Sequence, residues 1–374
     1  MNPDLVLEDD ELPSYEDLSE EQDEIYNLPL DGNFLVSGPP GTGKSVMALY
    51  RAQALTIDDR SPSILMFNNV LKQYTRRHAA HLGVEDNVET FHRWMRQFWL
   101  GTYRHNPPKL GGDDWAYDWK TIASQFMSDP PQPHTLHDLI VDEGQDMPSD
   151  FYRIVRWVSA NITVFADENQ QLRDDNTTLR EIKANVGAVD HLHLCRNYRN
   201  SLEIAKLAGW FYCGAPTGVP DLPSRSWRPG PTVQNYASLN EFVEAVARYA
   251  TTHTNRRIGI AAPTKAAQKK LYNRLSHRQV PTETYIWDDD KHRVLDFSAR
   301  NVKIINYMSL KGLQFDTLFV PDLQLVTGDV TSATIRMRFY VVTSRARNEL
   351  YLSYTGDTEP PLVARIPHDL LTRV

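Results

Sequence analysis

Cysteine is scarce in this chain. Two of its 374 residues, Cys195 and Cys213, carry a thiol, too few for a disulfide framework or a clustered metal site. No apolar run approaches the roughly 20 residues that span a bilayer, so no membrane association is expected. The N-terminus is acidic and lacks the basic stretch and apolar core of a secretory signal. A reducing cytoplasm is the simplest home. Positive charge is in deficit, with 40 Lys and Arg against 48 Asp and Glu and a net charge of -8. That argues against indiscriminate nucleic-acid binding without excluding a local basic groove. Much of the negative charge falls between Asp4 and Glu24. Internal repeats and low-complexity tracts are missing too.

What is present reads as a soluble globular chain, 41% hydrophobic and 24% charged, long enough for two domains. The most informative stretch is Gly38, Pro39, Pro40, Gly41, Thr42, Gly43, Lys44 and Ser45, which fits the phosphate-loop pattern at every fixed position. The β-prone run Asn33 to Ser37 precedes it and a helical run, Val46 to Leu55, follows. Glycines let successive N–H groups turn toward phosphate oxygens, and the helix N-terminus adds partial positive charge. Lys44 is expected to reach the β- and γ-phosphates and Ser45 to hold Mg2+. ATP and Mg2+ are therefore the expected cofactors.

Along the rest of the chain, residues 1–17 read as an acidic leader. Ser19 and Gln22 form a capping-box pattern, so Gln22 has a helix-cap role open to it as well as one near the nucleotide. A strand at Ser63 to Asn68 leads into a basic helix with Lys72, Arg76 and Arg77. Arg93, Trp94 and Arg96 interleave charge with aromatic rings, a pattern that suits backbone tracking and base stacking or, more plainly, a solvated amphipathic helix. Residues 101–135 read as an irregular insert with at most one helix, Trp119 to Met127. Leu139 to Glu143 is an apolar strand ending in two acids. Asp142 would orient the cation and Glu143 polarise water. Ile162 to Ala166 is a strand followed by Gln170, a γ-phosphate sensor or a polar turn. Asn197, Tyr198 and Arg199 are expected to open a helix, Ser201 to Trp210. Strand-type runs then recur at Ile258 to Ala262, Val302 to Asn306, Thr317 to Val320 and Glu349 to Ser353. They alternate with the helical runs Glu241 to Ala250 and Lys265 to Leu275. Two successive β/α units imply two parallel-sheet domains.

Taken in order, these segments resemble the superfamily 1 helicases and translocases of the UvrD/Rep type over about residues 18–355. Thr90-Phe91-His92 is similar to T-F-H, Val141 to Asp146 to D-E-x-Q-D, and Asp167 to Gln170 to G-D-x-x-Q with Ala166 for glycine. Asn197-Tyr198-Arg199 resembles N-Y-R, Ser309 to Phe315 resembles S-x-K-G-L-E-F with Gln314 for glutamate, and Tyr340 to Ala346 resembles Y-V-A-x-T/S-R-A. The resemblance implies two tandem RecA-like domains, residues 18–193 and 194–374, with ATP between them. It implies that Gln22 reads adenine, Tyr198 stacks on it, Arg199 and Arg345 are arginine fingers, and Gly312 and Gln314 lie at the nucleotide. It also implies a single strand, DNA before RNA, on Phe67, Asn69, Thr90, His92, Arg96 and Ser309, moved 3′→5′.

Departures shape the functional expectation. Where the family carries a stacking aromatic pair, Gln171-Leu172-Arg173-Asp174-Asp175 stands. The sites of the family's two accessory domains hold only residues 101–135 and a short stretch within 279–300. The expectation is a minimal ATP-driven translocase that unwinds poorly by itself and works with a protein partner. The alternative is an ATP-gated switch or docking module.

Overall fold

The computed structural model describes residues 12–111, 115–167, 177–188, 190–214, 218–286 and 294–374. Gln170, the segment 172–175 and most of the acidic leader lie outside them. The chain divides into two compact units, Met1–Pro39 with Gly43–Cys195 and Pro40–Thr42 with Arg196–Val374.

In the first unit six strands form one sheet: β1 (Asn33–Ser37), β2 (Ser63–Met66), β3 (Val88–Thr90), β4 (Leu136–Val141), β5 (Ser159–Ala166) and β6 (Asp190–His193). They lie in the order β3-β2-β4-β5-β1-β6, and every pair is parallel. Parallel pairing demands long crossovers, and helices supply them: Lys44–Ile57 from β1 to β2, Asn69–Ala80 from β2 to β3, Ser149–Val158 from β4 to β5. Helices cover both faces, so the central strands are continuous apolar runs rather than alternating ones. Leu35, Val36, Ile64, Leu65, Ile140 and Val141 are all fully buried. The entry to β1 is held by Arg51, whose guanidinium donates to the carbonyls of Leu28 (3.0 Å), Pro29 (2.6 Å) and Leu30 (2.9 Å).

Register decides where the chemistry falls. Ser37 pairs with Ala166, Val141 with Val164, Leu65 with Val141 and Met66 with Thr90. The carboxyl ends of β1, β5, β4, β2 and β3 therefore stand along one sheet edge. The residues that follow them are Gly38, Asp167, Asp142, Phe67 and Phe91. In open α/β sheets this is the edge that holds ligands.

The second unit carries a seven-stranded sheet: β7 (Thr232–Tyr236), β8 (Ile258–Ala262), β9 (Thr282–Thr284), β10 (Val302–Asn306), β11 (Phe315–Val320), β12 (Ala346–Thr355) and β13 (Thr372–Arg373). Their order is β13-β7-β12-β11-β8-β10-β9, again all parallel. Phe315 pairs with Ala346, which sets Gln314 and Arg345 side by side at the amino ends of β11 and β12. Ser309 follows the carboxyl end of β10. Two all-parallel sheets with helical crossovers make both units RecA-like α/β folds.

The structure departs from the sequence reading at several points. The helix expected at Ser201 to Trp210 is Leu202–Phe211 with Ser201 as its N-cap, and Asn197-Tyr198-Arg199 precede it outside the helix. Asn197 Oδ1 instead accepts the N–H groups of Arg199 (3.0 Å) and Asn200 (3.1 Å), and this side-chain bonding competes with helical turns. The acids Asp142 and Glu143 lie beyond β4 rather than in it. Residues 101–135 are more ordered than expected: the helix Phe91–Tyr103 runs into them, and Lys109 bridges Tyr117 in antiparallel fashion. Strands β3, β6, β7, β9 and β13 were not anticipated.

Candidate active site

The phosphate loop is shaped by its glycines. Gly41 and Gly43 hold φ at 90° and 93°, the left-handed region where a Cβ is disfavoured. Gly43 is also the N-cap of the helix Lys44–Ile57. An alanine there would set its Cβ 2.5 Å from Gln22 Nε2, so the glycine also permits close approach. Gln22 itself is buried and uses its Oε1 to accept the Ser19 N–H at 3.2 Å, while its own N–H donates to Ser19 Oγ at 3.3 Å. The capping role is thus present in the structure. The amide nitrogen at the loop keeps the second role open.

Lys44 is buried, 7% exposed, with Nζ donating to the carbonyls of Gly38 at 2.6 Å and Pro39 at 3.0 Å. Asp167 Oδ2 lies 3.7 Å from the same Nζ. The ammonium is therefore held inside the loop against a carboxylate from the neighbouring strand end.

Beyond β4 the acids are fixed with equal care. Glu143 sits at φ 53° and ψ 44°, a left-handed conformation that costs a non-glycine residue of order 1 kcal/mol. Asp142 Oδ1 accepts the Glu143 N–H at 3.0 Å. Gln145 Nε2 donates to Glu143 Oε2 at 2.6 Å, and Gln145 Oε1 accepts the Asp167 N–H at 2.8 Å. One buried carboxamide thus ties the ends of β4 and β5 together. Burial raises the Asp142 carboxyl above the usual range, the neighbouring Glu143 charge adds to this, and the Ser45 hydroxyl and Lys44 draw it back. Asp142 Oδ2 is buried without a hydrogen-bond partner. A buried orphan oxygen beside a serine hydroxyl fits a hard divalent cation, and Ser45 with Asp142 are the residues that would hold it.

Gly144 shows how tightly this corner is packed. A Cβ there would lie 2.4 Å from Val164 Cγ1 and 2.7 Å from the Tyr152 hydroxyl, which donates to the Gly144 carbonyl at 2.5 Å. Gly144→Ala is expected to destabilise the fold by about 1–3 kcal/mol through overpacking, visible as a lowered thermal midpoint. An unchanged midpoint would mean that the corner yields freely.

Of the residues expected to contact nucleic acid, Phe67 and His92 join an aromatic cluster. Phe67 and Phe91 stack at 6.1 Å and 13°, and His92 lies 5.5 Å from both Phe67 and Tyr117. Trp115, half-exposed, meets His92 edge-on at 5.0 Å. Asn69 begins the helix Asn69–Ala80, and Thr90 caps the next one, accepting the Arg93 N–H. Arg96 is exposed and donates to Asn106 Oδ1 at 3.2 Å. The basic face nearby is largely neutralised: Lys72 and Arg93 pair with Glu89 at 2.7 and 3.0 Å, and Arg76 pairs with Asp86 at 3.2 Å.

The second unit holds Tyr198, Arg199, Ser309, Gly312, Gln314 and Arg345. Tyr198 and Arg199 are half-buried. Arg345 is fully buried, its Nε donating to Val341 O at 2.9 Å and Nη2 to Ser344 Oγ at 3.2 Å. Gly312 holds φ at 80°, and the Ser309 N–H donates to Asn306 Oδ1 at 3.0 Å. Gln145, Asp167 and Asn200 join these groups as residues the sequence reading left without a role. Gln145 and Asp167 stood inside recognised motifs, which was the available signal.

Strand, glycine loop and helix with a buried lysine and a carboxylate pair at the next strand ends define a P-loop α/β protein of the RecA-like kind. Residues 22–174 match the AAA_19 family model, an AAA domain. Over 96 residues the chain is 29% identical to the RecBCD enzyme subunit RecB of Chlamydia pneumoniae, covering 25% of this chain and 9% of that one. A solved structure of the C-terminal domain of a possible DNA helicase from Lactobacillus plantarum WCFS1 is 22% identical, with a TM-score of 0.36, covering 47% of this chain and 98% of its own. The domain match and the RecB relative support a superfamily 1, helicase-like family. It spans a small fraction of the curated relative it matches.

Proposed function

We propose that the chain is an ATP-driven motor that hydrolyses ATP and translocates on single-stranded nucleic acid, DNA before RNA, within a larger assembly. The observation that carries this reading is the network Lys44–Asp167–Gln145–Glu143–Asp142 at one sheet edge. It joins the candidate phosphate ligand, cation ligand and base through the distances given above. In the mechanism Lys44 leaves the loop carbonyls for the β- and γ-phosphate oxygens. Ser45 and Asp142 would hold Mg2+, which would supply positive charge to offset that of the phosphates. Glu143, oriented by Gln145, takes the proton of the attacking water. Gln22 and Tyr198 contact the base. Arg199 and Arg345, carried by the second unit, stabilise the charge that develops in the transition state. Hydrolysis thereby becomes coupled to movement between the units, and a strand held by both is stepped along.

The neutralised basic face supports the second reading, an ATP-gated docking module for a protein partner. ATP turnover with and without single-stranded DNA or RNA separates the two. The motor reading expects stimulation of at least about tenfold, lost as salt rises because each phosphate contact releases counterions on binding. Turnover indifferent to both polymers would favour the docking module.

A further inference from the structure

Asn200 lies just outside the N-Y-R segment and is 2% exposed. Its carboxamide is fully used. Oδ1 accepts from Asn197 Nδ2 at 3.0 Å, while Nδ2 donates to two carbonyls far along the chain, Ser344 O at 3.0 Å and Ala346 O at 2.5 Å. Those two carbonyls flank Arg345. On the other side, Asn197 Oδ1 binds the N–H groups of Arg199 and Asn200. The strap is doubled by the Ser201 N–H, which donates to Arg347 O at 2.8 Å. Arg225 Nη2 spans the same gap, donating to Arg199 O at 2.9 Å and Arg347 O at 3.2 Å. Buried hydrogen bonds that share donors and acceptors in this way reinforce one another, and one changed donor disturbs all of them.

We propose that Asn200 is a positioning residue that locks the backbone segments bearing Arg199 and Arg345 into one body, so that both arginines reach the nucleotide together. The inference rests on the reading of Arg199 and Arg345 as transition-state arginines. Asn200 touches no substrate. It acts through the two peptide groups on either side of Arg345. Groups that act as a unit lose their effects together rather than additively, so in the wild-type protein Arg199→Ala, Arg345→Ala and the double variant should slow turnover by similar factors.

The test is Asn200→Asp, which keeps shape and the bond from Asn197 but replaces both N–H donors with a carboxylate facing two carbonyl oxygens. Turnover should fall about 10²-fold, the cost of a displacement near 1 Å, with ATP affinity within about twofold. Affinity for ADP with aluminium fluoride should fall in step with turnover, while affinity for ADP alone holds. Adding Arg345→Ala to Asn200→Asp should then cost far less than it does in the wild-type protein. If Asn200→Asp does not fold, Asn200→Ser, with one donor and no charge, carries the same comparison. Wild-type turnover in the folded variant, or equal loss of ATP binding and rate, overturns the inference. If Arg199→Ala and Arg345→Ala leave turnover intact in the wild-type background, the arginine reading itself fails and the inference falls with it.

Discussion

Lys44→Ala should lower ATP turnover by about 10²–10³-fold or more, the scale of losing a preorganised charge at a reacting phosphate, while the protein stays folded. The side chain is buried, yet its contacts are with carbonyls of its own loop and with Asp167, not with the apolar core. Removing it leaves the core of the first unit untouched and takes one cation from Asp167. A modest drop in thermal midpoint is therefore expected, with the circular dichroism spectrum unchanged. A folded variant with normal turnover would remove the phosphate loop from the mechanism.

Glu143→Gln should separate binding from hydrolysis. Glutamine preserves the shape of the side chain and can still accept from Gln145 through its carbonyl oxygen, so the tie to Asp167 survives. The contacts through Lys44, Ser45 and Asp142 do not involve the altered group. ATP affinity should hold, and turnover should fall about 10²–10⁴-fold, the usual weight of a general base. The variant should accumulate with ATP bound and hold whichever partner prefers that state. Loss of ATP affinity along with turnover would make Glu143 a ground-state contact rather than a base.

Parts of this architecture were legible because the cause is local. Strands Ile258–Ala262 and Val302–Asn306 are apolar runs long enough to declare themselves, and the phosphate loop needs glycine, lysine and serine at set positions for reasons internal to eight residues. Strands β6, β9 and β13 are only 4, 3 and 2 residues long, and β6 leaves Asp190, His191 and His193 exposed. Their existence depends on a partner strand distant in sequence, not on composition. The helix after Asn197 was legible to within one residue, but the asparagine side chain that shapes the lead-in acts through hydrogen bonds that periodicity does not encode. Gln145 and Asn200 gain their importance from groups 22 and 144 to 146 positions away.

The central claim, that ATP hydrolysis drives movement along a single strand, is tested most directly by stopped-flow translocation on oligonucleotides of increasing length carrying a fluorophore at one end. The account predicts a lag before the fluorescence change that grows in proportion to strand length, requires hydrolysable ATP and disappears in Lys44→Ala. A signal independent of length, or unchanged without ATP, would contradict it.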